Sequence, residues 1–168
     1  MAELSLTEQA VLGILAEEPA HGFAIARALS SDAELGKIFT VRRPLVYRAL
    51  ARLVEAGLAE TVHIEAGDAG PNRIVHRVTR RGRGQLLRWL DEPVDHVREL
   101  RLEFLLKLAL LARSGRPAGE LVRRQRESLQ PTLAALEAAG SDDPVEMWRR
   151  HNARAADTYL TELANLTL

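Results

Sequence analysis

Apolar positions along this chain change period once, and the change divides it. Ala10, Val11, Ile14 and Leu15 recur at helical spacing behind Ser5-Leu6-Thr7-Glu8. That opening is a capping box, in which a Ser hydroxyl accepts from the third amide of the helix while Glu reaches back. Pro19 ends this helix before His21, because the residue ahead of a proline avoids helical geometry. A second, short helix fits 22–30, with Phe23, Ala26 and Leu29 on one side. Residues 31–43 lack a strong period and read as a loop with one turn at Leu35–Phe39. A third helix opens at Pro44, where a missing N–H goes unnoticed, and buries Val46, Leu50, Leu53 and Val54. Gly57 is placed to stop it in a left-handed conformation.

Beyond Gly57 the period drops to two. Leu58–Glu65 and Arg73–Thr79 alternate and are rich in β-branched residues, with turn formers in 66–72 between them. They predict a β-hairpin in which Ile74 and Val78 are the apolar positions and Arg73 and Arg77 fall between. If it turns about Ala69 and Gly70, His63 faces His76, a pair better suited to cross-strand packing than to a metal. Three helices followed by a hairpin make the winged helix-turn-helix plan.

From Thr79 the pattern is helical throughout. Thr79 can cap a helix through Leu86, Leu87 and Leu90, and Val97–Ala112 is apolar nearly all round, which demands cover on several sides. Pro117 opens another helix to Ala139, with a bend expected at Pro131. Asp143-Pro144-Val145-Glu146 starts the last helix, which puts Trp148, His151, Ala155, Tyr159, Leu163 and Leu166 on roughly one face. The expected fold is mainly α with a small β-hairpin: a winged helix-turn-helix over 1–92 for DNA binding, and a helical dimerisation domain over 93–168 that could also take an effector.

Composition narrows the function. Apolar residues make up 46% and charged residues 27% of the 168, as in ordinary folded proteins. Cysteine is absent, which excludes disulfides and thiolate zinc sites. The five histidines lack metal-ligand spacing, and no nucleophile elbow, phosphate loop or HExxH is present. Neither an enzyme nor a cofactor or metal is expected. Met1-Ala2-Glu3-Leu4 shows no secretory pattern, and the greasiest run, Phe104–Ala112, is broken by Lys107 and too short to cross a bilayer. A cytoplasmic location without membrane association is therefore expected.

Net charge is zero, but its distribution is uneven. Between Lys37 and Leu90 stand eleven basic residues and four acidic ones, so this segment carries +7 and the remainder −7. Such polarity turns one region toward phosphate while the whole stays neutral. Opposite its apolar stripe the third helix presents Tyr47, Arg48, Ala51, Arg52 and Glu55, preceded by Arg42 and Arg43. Arginine grips guanine bidentately, tyrosine donates to phosphate, and small Ala51 permits close approach. Arg73 and Arg77 on the hairpin would reach flanking backbone or minor groove. A basic helix face is ordinarily just solvated. The coincidence with hairpin arginines and the three-helix order makes double-stranded DNA the expected partner, through Arg42, Arg43, Tyr47, Arg48, Arg52, Arg73 and Arg77. The alternative is a winged-helix protein-interaction module without specific DNA binding.

Leu6-Thr7-Glu8-Gln9-Ala10-Val11-Leu12-Gly13-Ile14-Leu15 and His21-Gly22-Phe23-Ala24-Ile25 resemble the opening of PadR-family transcriptional regulators. So do Val46-Tyr47-Arg48-Ala49-Leu50-Ala51-Arg52-Leu53, Glu55-Ala56-Gly57-Leu58, Val78-Thr79-Arg80-Arg81-Gly82 and the later Glu103-Phe104-Leu105-Leu106-Lys107-Leu108. The length beyond them is similar to the larger subgroup, whose terminal helices exchange between protomers. The resemblance implies a homodimer on a pseudo-palindromic operator, usually a repressor and often released by a small ligand such as a phenolic acid or drug. It gives Tyr47 and Arg48 recognition-helix positions. Family members often carry Ser or Thr before this helix; here Arg42-Arg43-Pro44 stands, exchanging a neutral phosphate contact for charge.

The apolar excess of Val97–Ala112 and the amphipathic last helix also predict a dimer, through Leu100, Phe104, Leu108, Tyr159, Leu163 and Leu166. Met147, Trp148, His151 and Asn152 mix polarizable, aromatic and hydrogen-bonding groups and are the candidate effector residues, although a tryptophan at helical spacing more often serves core or interface.

Overall fold

Ser5 starts the first helix as its sequence predicts. In the computed structural model, which describes residues 4–65, 72–139 and 142–166, the Glu8 amide donates to Ser5 Oγ at 3.4 Å. The Ser5 amide and hydroxyl each donate to Glu8 Oε2 at 2.7 Å. Helix α1 (Leu6–Glu17) is buried without a break from Glu8 to Leu15. Contacts divide the chain into two units, residues 1–89 and 90–168.

In the first unit α1 is followed by β1 (Ala20–His21), α2 (Gly22–Ala28), α3 (Glu34–Ile38) and α4 (Arg43–Glu55). His21 caps α2, its Nδ1 accepting from the Ala24 amide at 3.1 Å. Helix α4 packs on α1 and α2 and buries Val46, Ala49, Leu50 and Leu53. Its end is a Schellman motif: Gly57, at φ +67°, donates to Val54 O and Leu58 donates to Leu53 O at 2.8 Å. Strands β2 (Ala59–Glu65) and β3 (Arg73–Val78) pair antiparallel, and β1 adds to β3, giving the order β1-β3-β2. Thr79 fastens the hairpin to the next helix, α5 (Arg80–Asp91). Its hydroxyl donates to Gly57 O at 2.8 Å and accepts from the Gly82 amide at 3.0 Å.

Several expectations change here. β1 is too short for periodicity to reveal, and pairing with β3 creates it. A bulge between Thr61 and His63 shifts the register, so His63 opposes Val75 and His76 opposes Thr61; the two histidines do not face each other. Val75 is buried whereas Ile74 lies exposed, and α2 buries Ile25 and Leu29 while Phe23 stands out at 47% exposure. The turn at Ala69 and Gly70 lies outside the described residues.

The second unit departs further. Val97–Ala112 is not one helix: a 3-10 turn (Val97–Glu99) and a π-helical turn (Leu100–Phe104) precede α6 (Leu105–Arg113). Helix α7 (Gly119–Ala139) begins two residues after Pro117 and contains Pro131. Helix α8 (Pro144–Asn165) starts as predicted, Asp143 accepting from the amides of Val145 and Glu146 at 2.9 and 3.2 Å. Phe104, Leu106, Leu110, Leu121, Val122, Leu129 and Leu160 are buried in this unit. Two polar side chains join them. Gln125 donates to Val94 O at 2.9 Å and accepts from the Val94 amide at 2.7 Å, as a paired strand would. Lys107, 1% exposed, donates to Glu92 O at 2.7 Å and pairs with Glu103 at 2.9 Å. The residue that interrupts the apolar run therefore sits inside.

Candidate nucleic-acid interface

The geometry of α4 follows from its two faces. With Val46, Ala49, Leu50 and Leu53 turned inward, Tyr47, Arg48, Ala51, Arg52 and Glu55 are all exposed. Arg42 occupies the N-cap position without a side-chain cap, and the Leu45 amide bonds back to its carbonyl at 2.9 Å. These are the residues that the apolar spacing of the helix predicts to be exposed.

The seven candidate residues differ in what holds them. Arg42, Arg48 and Arg73 are exposed and have no charged partner among the described residues. Arg52 lies 3.4 Å from Glu8 Oε1, so the carboxylate that closes the capping box also tethers this guanidinium. Arg77 donates to Glu60 at 2.7 Å across the hairpin, as their register places them opposite. Arg43 stacks: its guanidinium carbon is 4.8 Å from the Phe23 ring centre and 5.8 Å from that of Tyr47. Tyr47 in turn rests on Gly22, where an added Cβ would come within 2.6 Å of the ring. A side chain at this position would push the ring aside.

Two hollows flank α4 within this unit. One, of about 190 Å3, lies beside the first turn of α1 and includes Thr7, Glu8, Arg48 and Arg52. The larger, about 390 Å3, opens between the starts of α2 and α4 and strand β3; His21, Phe23, Arg43, Tyr47, Arg73, Ile74 and His76 line it. Burial holds the His76 imidazole below its usual 6.5, and its Nδ1 is buried without a hydrogen-bond partner among the described residues. Sequence reasoning missed Phe23 and Ile74 here. It assigned both to the apolar side of their elements, and alternation alone cannot say where a hairpin projects past its core.

The second unit scatters its candidates. Trp148 is 70% exposed, Met147 and His151 are exposed and Asn152 is half-buried. A cavity of about 570 Å3 brings Trp148 and Asn152 together with Arg98, Arg101 and Leu136, but not Met147 or His151. His151 Nδ1 is 2.9 Å from Met147 O, and Asn152 donates to Trp148 O at 2.8 Å, so both engage their own helix. Of the dimer candidates, Leu100 and Phe104 are used up in the unit's own core and Leu108 is half-buried. A π turn advances by one extra residue and re-aims the stripe predicted for a straight helix. Leu163 is half-buried, Leu166 is exposed, and burial pushes the Tyr159 phenol above its usual value. Among the described residues no group of three or more potential metal ligands occurs, and no helix is long and apolar enough to cross a membrane.

An uncapped, arginine-bearing helix set after three others, with a hairpin behind it, defines a winged helix-turn-helix module. The model of the transcriptional regulator PadR-like family matches residues 11–88, which covers this module. The first unit therefore carries the module of the PadR-like family of transcriptional regulators. No curated protein matches. Among solved structures, Bacillus subtilis PadR in complex with operator DNA shares 18% identity, with 98% of each chain covered and a TM-score of 0.53. The fold is therefore common to both, long C-terminal helices included. Bacillus subtilis PadR with p-coumaric acid matches at 18% identity, 97% of each chain and TM-score 0.45. The smu.1604c protein of Streptococcus mutans matches at 18% identity over 95% of this chain and 98% of that one, TM-score 0.46.

Proposed function

We propose that this regulator is a repressor that binds a pseudo-palindromic operator as a homodimer, works in the cytoplasm and is released by a small ligand. The observation that carries the reading is the exposed side of α4, where Tyr47 and Arg48 stand clear and Arg42 and Arg73 flank them without charged partners among the described residues. Arg48 reads a base edge. Arg42 and Arg73 neutralise phosphates, and Arg52 and Arg77 first have to leave Glu8 and Glu60. That DNA and a phenolic acid accompany Bacillus subtilis PadR supports both partner classes.

Residues 1–92 are the DNA-binding part and 93–168 the dimerising part. The pairing surface is the stripe of α8 formed by Trp148, Ala155, Tyr159 and Leu163 and continued by Leu166 just past its end, whose members are exposed or half-buried while Ala153, Ala156 and Leu160 face inward. A Trp-to-Leu stripe left in water marks an interface. Trp148 and Asn152 are the best placed of the effector candidates, because they share a cavity with three arginines, Arg98, Arg101 and Arg149.

Titrating the chain against its own upstream DNA over a salt series tests the central reading, since each neutralised phosphate contributes a slope of about −0.9 in log K. A flat response points instead to a protein-interaction module. Trp148→Ala should shift the association equilibrium toward monomer in sedimentation while leaving thermal stability within about 0.5 kcal/mol; an unchanged dimer removes α8 from the interface.

A further inference from the structure

The hollow between α4 and β3 has a chemistry that the arginine inventory does not explain. Its floor is apolar: Phe23 and Ile74, 47% and 48% exposed, stand in water on two different elements yet line one cavity. Its rim is cationic, with Arg43 on the helix side and Arg73 on the strand side. Arg43 is not loose, because it lies over the rings of Phe23 and Tyr47, which limits the rotamer freedom it would otherwise lose on binding. Two large apolar side chains left exposed between two cations fit an occupant that is apolar at one point and anionic on both sides of it. A nucleic-acid backbone has that repeat, a sugar ring between two phosphates. The hollow is also continuous with the reading face, since Tyr47 belongs to both.

We infer that this cleft is a seat for one deoxyribose of the DNA backbone, the sugar packing on Phe23 and Ile74 while Arg43 and Arg73 hold the phosphates on either side. The inference rests on the DNA-binding reading and deepens it. Phe23 and Ile74 become contacts that add affinity without reading sequence and without releasing counterions, because sugar contact is uncharged. In the wing the pairing of Arg77 with Glu60 leaves Arg73 as the phosphate ligand nearer the cleft.

The test measures binding of the full chain to its upstream promoter duplex and to a random duplex of equal length, over a salt series. Phe23→Ala and Ile74→Ala should each weaken both duplexes by a similar factor, about ten-fold, with the salt slope unchanged. Arg73→Ala should also weaken both, but flatten the slope by about 0.9. Phe23→Leu, which keeps an apolar floor and protects against a folding loss, should fall between wild type and Phe23→Ala. Unaltered binding by Phe23→Ala and Ile74→Ala overturns the seat while leaving the regulator reading intact. A loss confined to the promoter duplex overturns it too, since that would make the floor a base reader. A wild-type chain that binds neither duplex removes both readings together.

Discussion

The two units differ in how far the polarity of a single helix fixes what is buried. The first places arginines on the outside of α4, whose amphipathic spacing predicts its core face, and encloses α1 from Glu8 to Leu15, Glu8 and Gln9 included. The second buries a lysine and a glutamine and leaves a tryptophan in water. The cause is the pattern each unit starts from. α4 has one apolar stripe and therefore one way to face a core. The Val97–Ala112 segment is apolar nearly all round, so several rotations about its axis bury similar area, and local hydrogen bonding chooses among them. Lys107 goes inside because Glu92 O and Glu103 both receive its ammonium. An exposed face is legible when polarity is one-sided; a buried polar group becomes legible only with its partners.

Substitutions sharpen the contrast, beginning with the largest effect. Phe104→Ala should cost about 3–5 kcal/mol in urea unfolding of the full chain, because the ring is wholly buried inside its own unit. If the variant instead kept its stability and lost only self-association, Phe104 would belong to an interface after all. Lys107→Ala should cost about 3 kcal/mol, leaving the Glu92 carbonyl and the Glu103 carboxylate without their ammonium. A loss no greater than that of an exposed lysine would return Lys107 to the surface.

In the first unit the expected effects are on binding. Arg48→Ala should weaken promoter binding by about 1–3 kcal/mol while sparing random DNA. Arg77→Ala should do less, because its guanidinium is already paired with Glu60. Equal losses for the two would erase the distinction between open and internally neutralised arginines. The smallest effect is one of pH. Because burial lowers the His76 pKa below 6.5, the unfolded chain takes up this proton more readily than the folded one. The stability His76 permits is therefore complete above about pH 6.5 and declines as pH falls below it. His76→Gln should flatten that part of the melting-temperature profile; an unchanged slope would assign the pH response to other groups.

Where the sequence carried a short-range signal, the structure follows it. Ser5 with Glu8, Gly57, Thr79 and Asp143 each form the predicted boundary, since caps depend on atoms within about four residues. The exposed side of α4 was legible for a similar reason, as a single helix fixes which residues share a face. The seat between α4 and β3 was not legible: Phe23 and Ile74 lie fifty-one positions apart in the chain, and helical spacing assigned the first, alternation the second, to the inside.

What the sequence determined by itself is the order of the elements, their main boundaries and the face on which Tyr47 and Arg48 stand. Tertiary structure alone decided the strand at Ala20–His21, the bulge that separates His63 from His76, the pairing of Arg52 and Arg77, and the burial of Lys107 and Gln125. The physical reason is range. Helix periodicity and caps are settled between near neighbours, whereas strand register, ion pairing and the enclosure of a polar group depend on atoms that only the folded chain brings together.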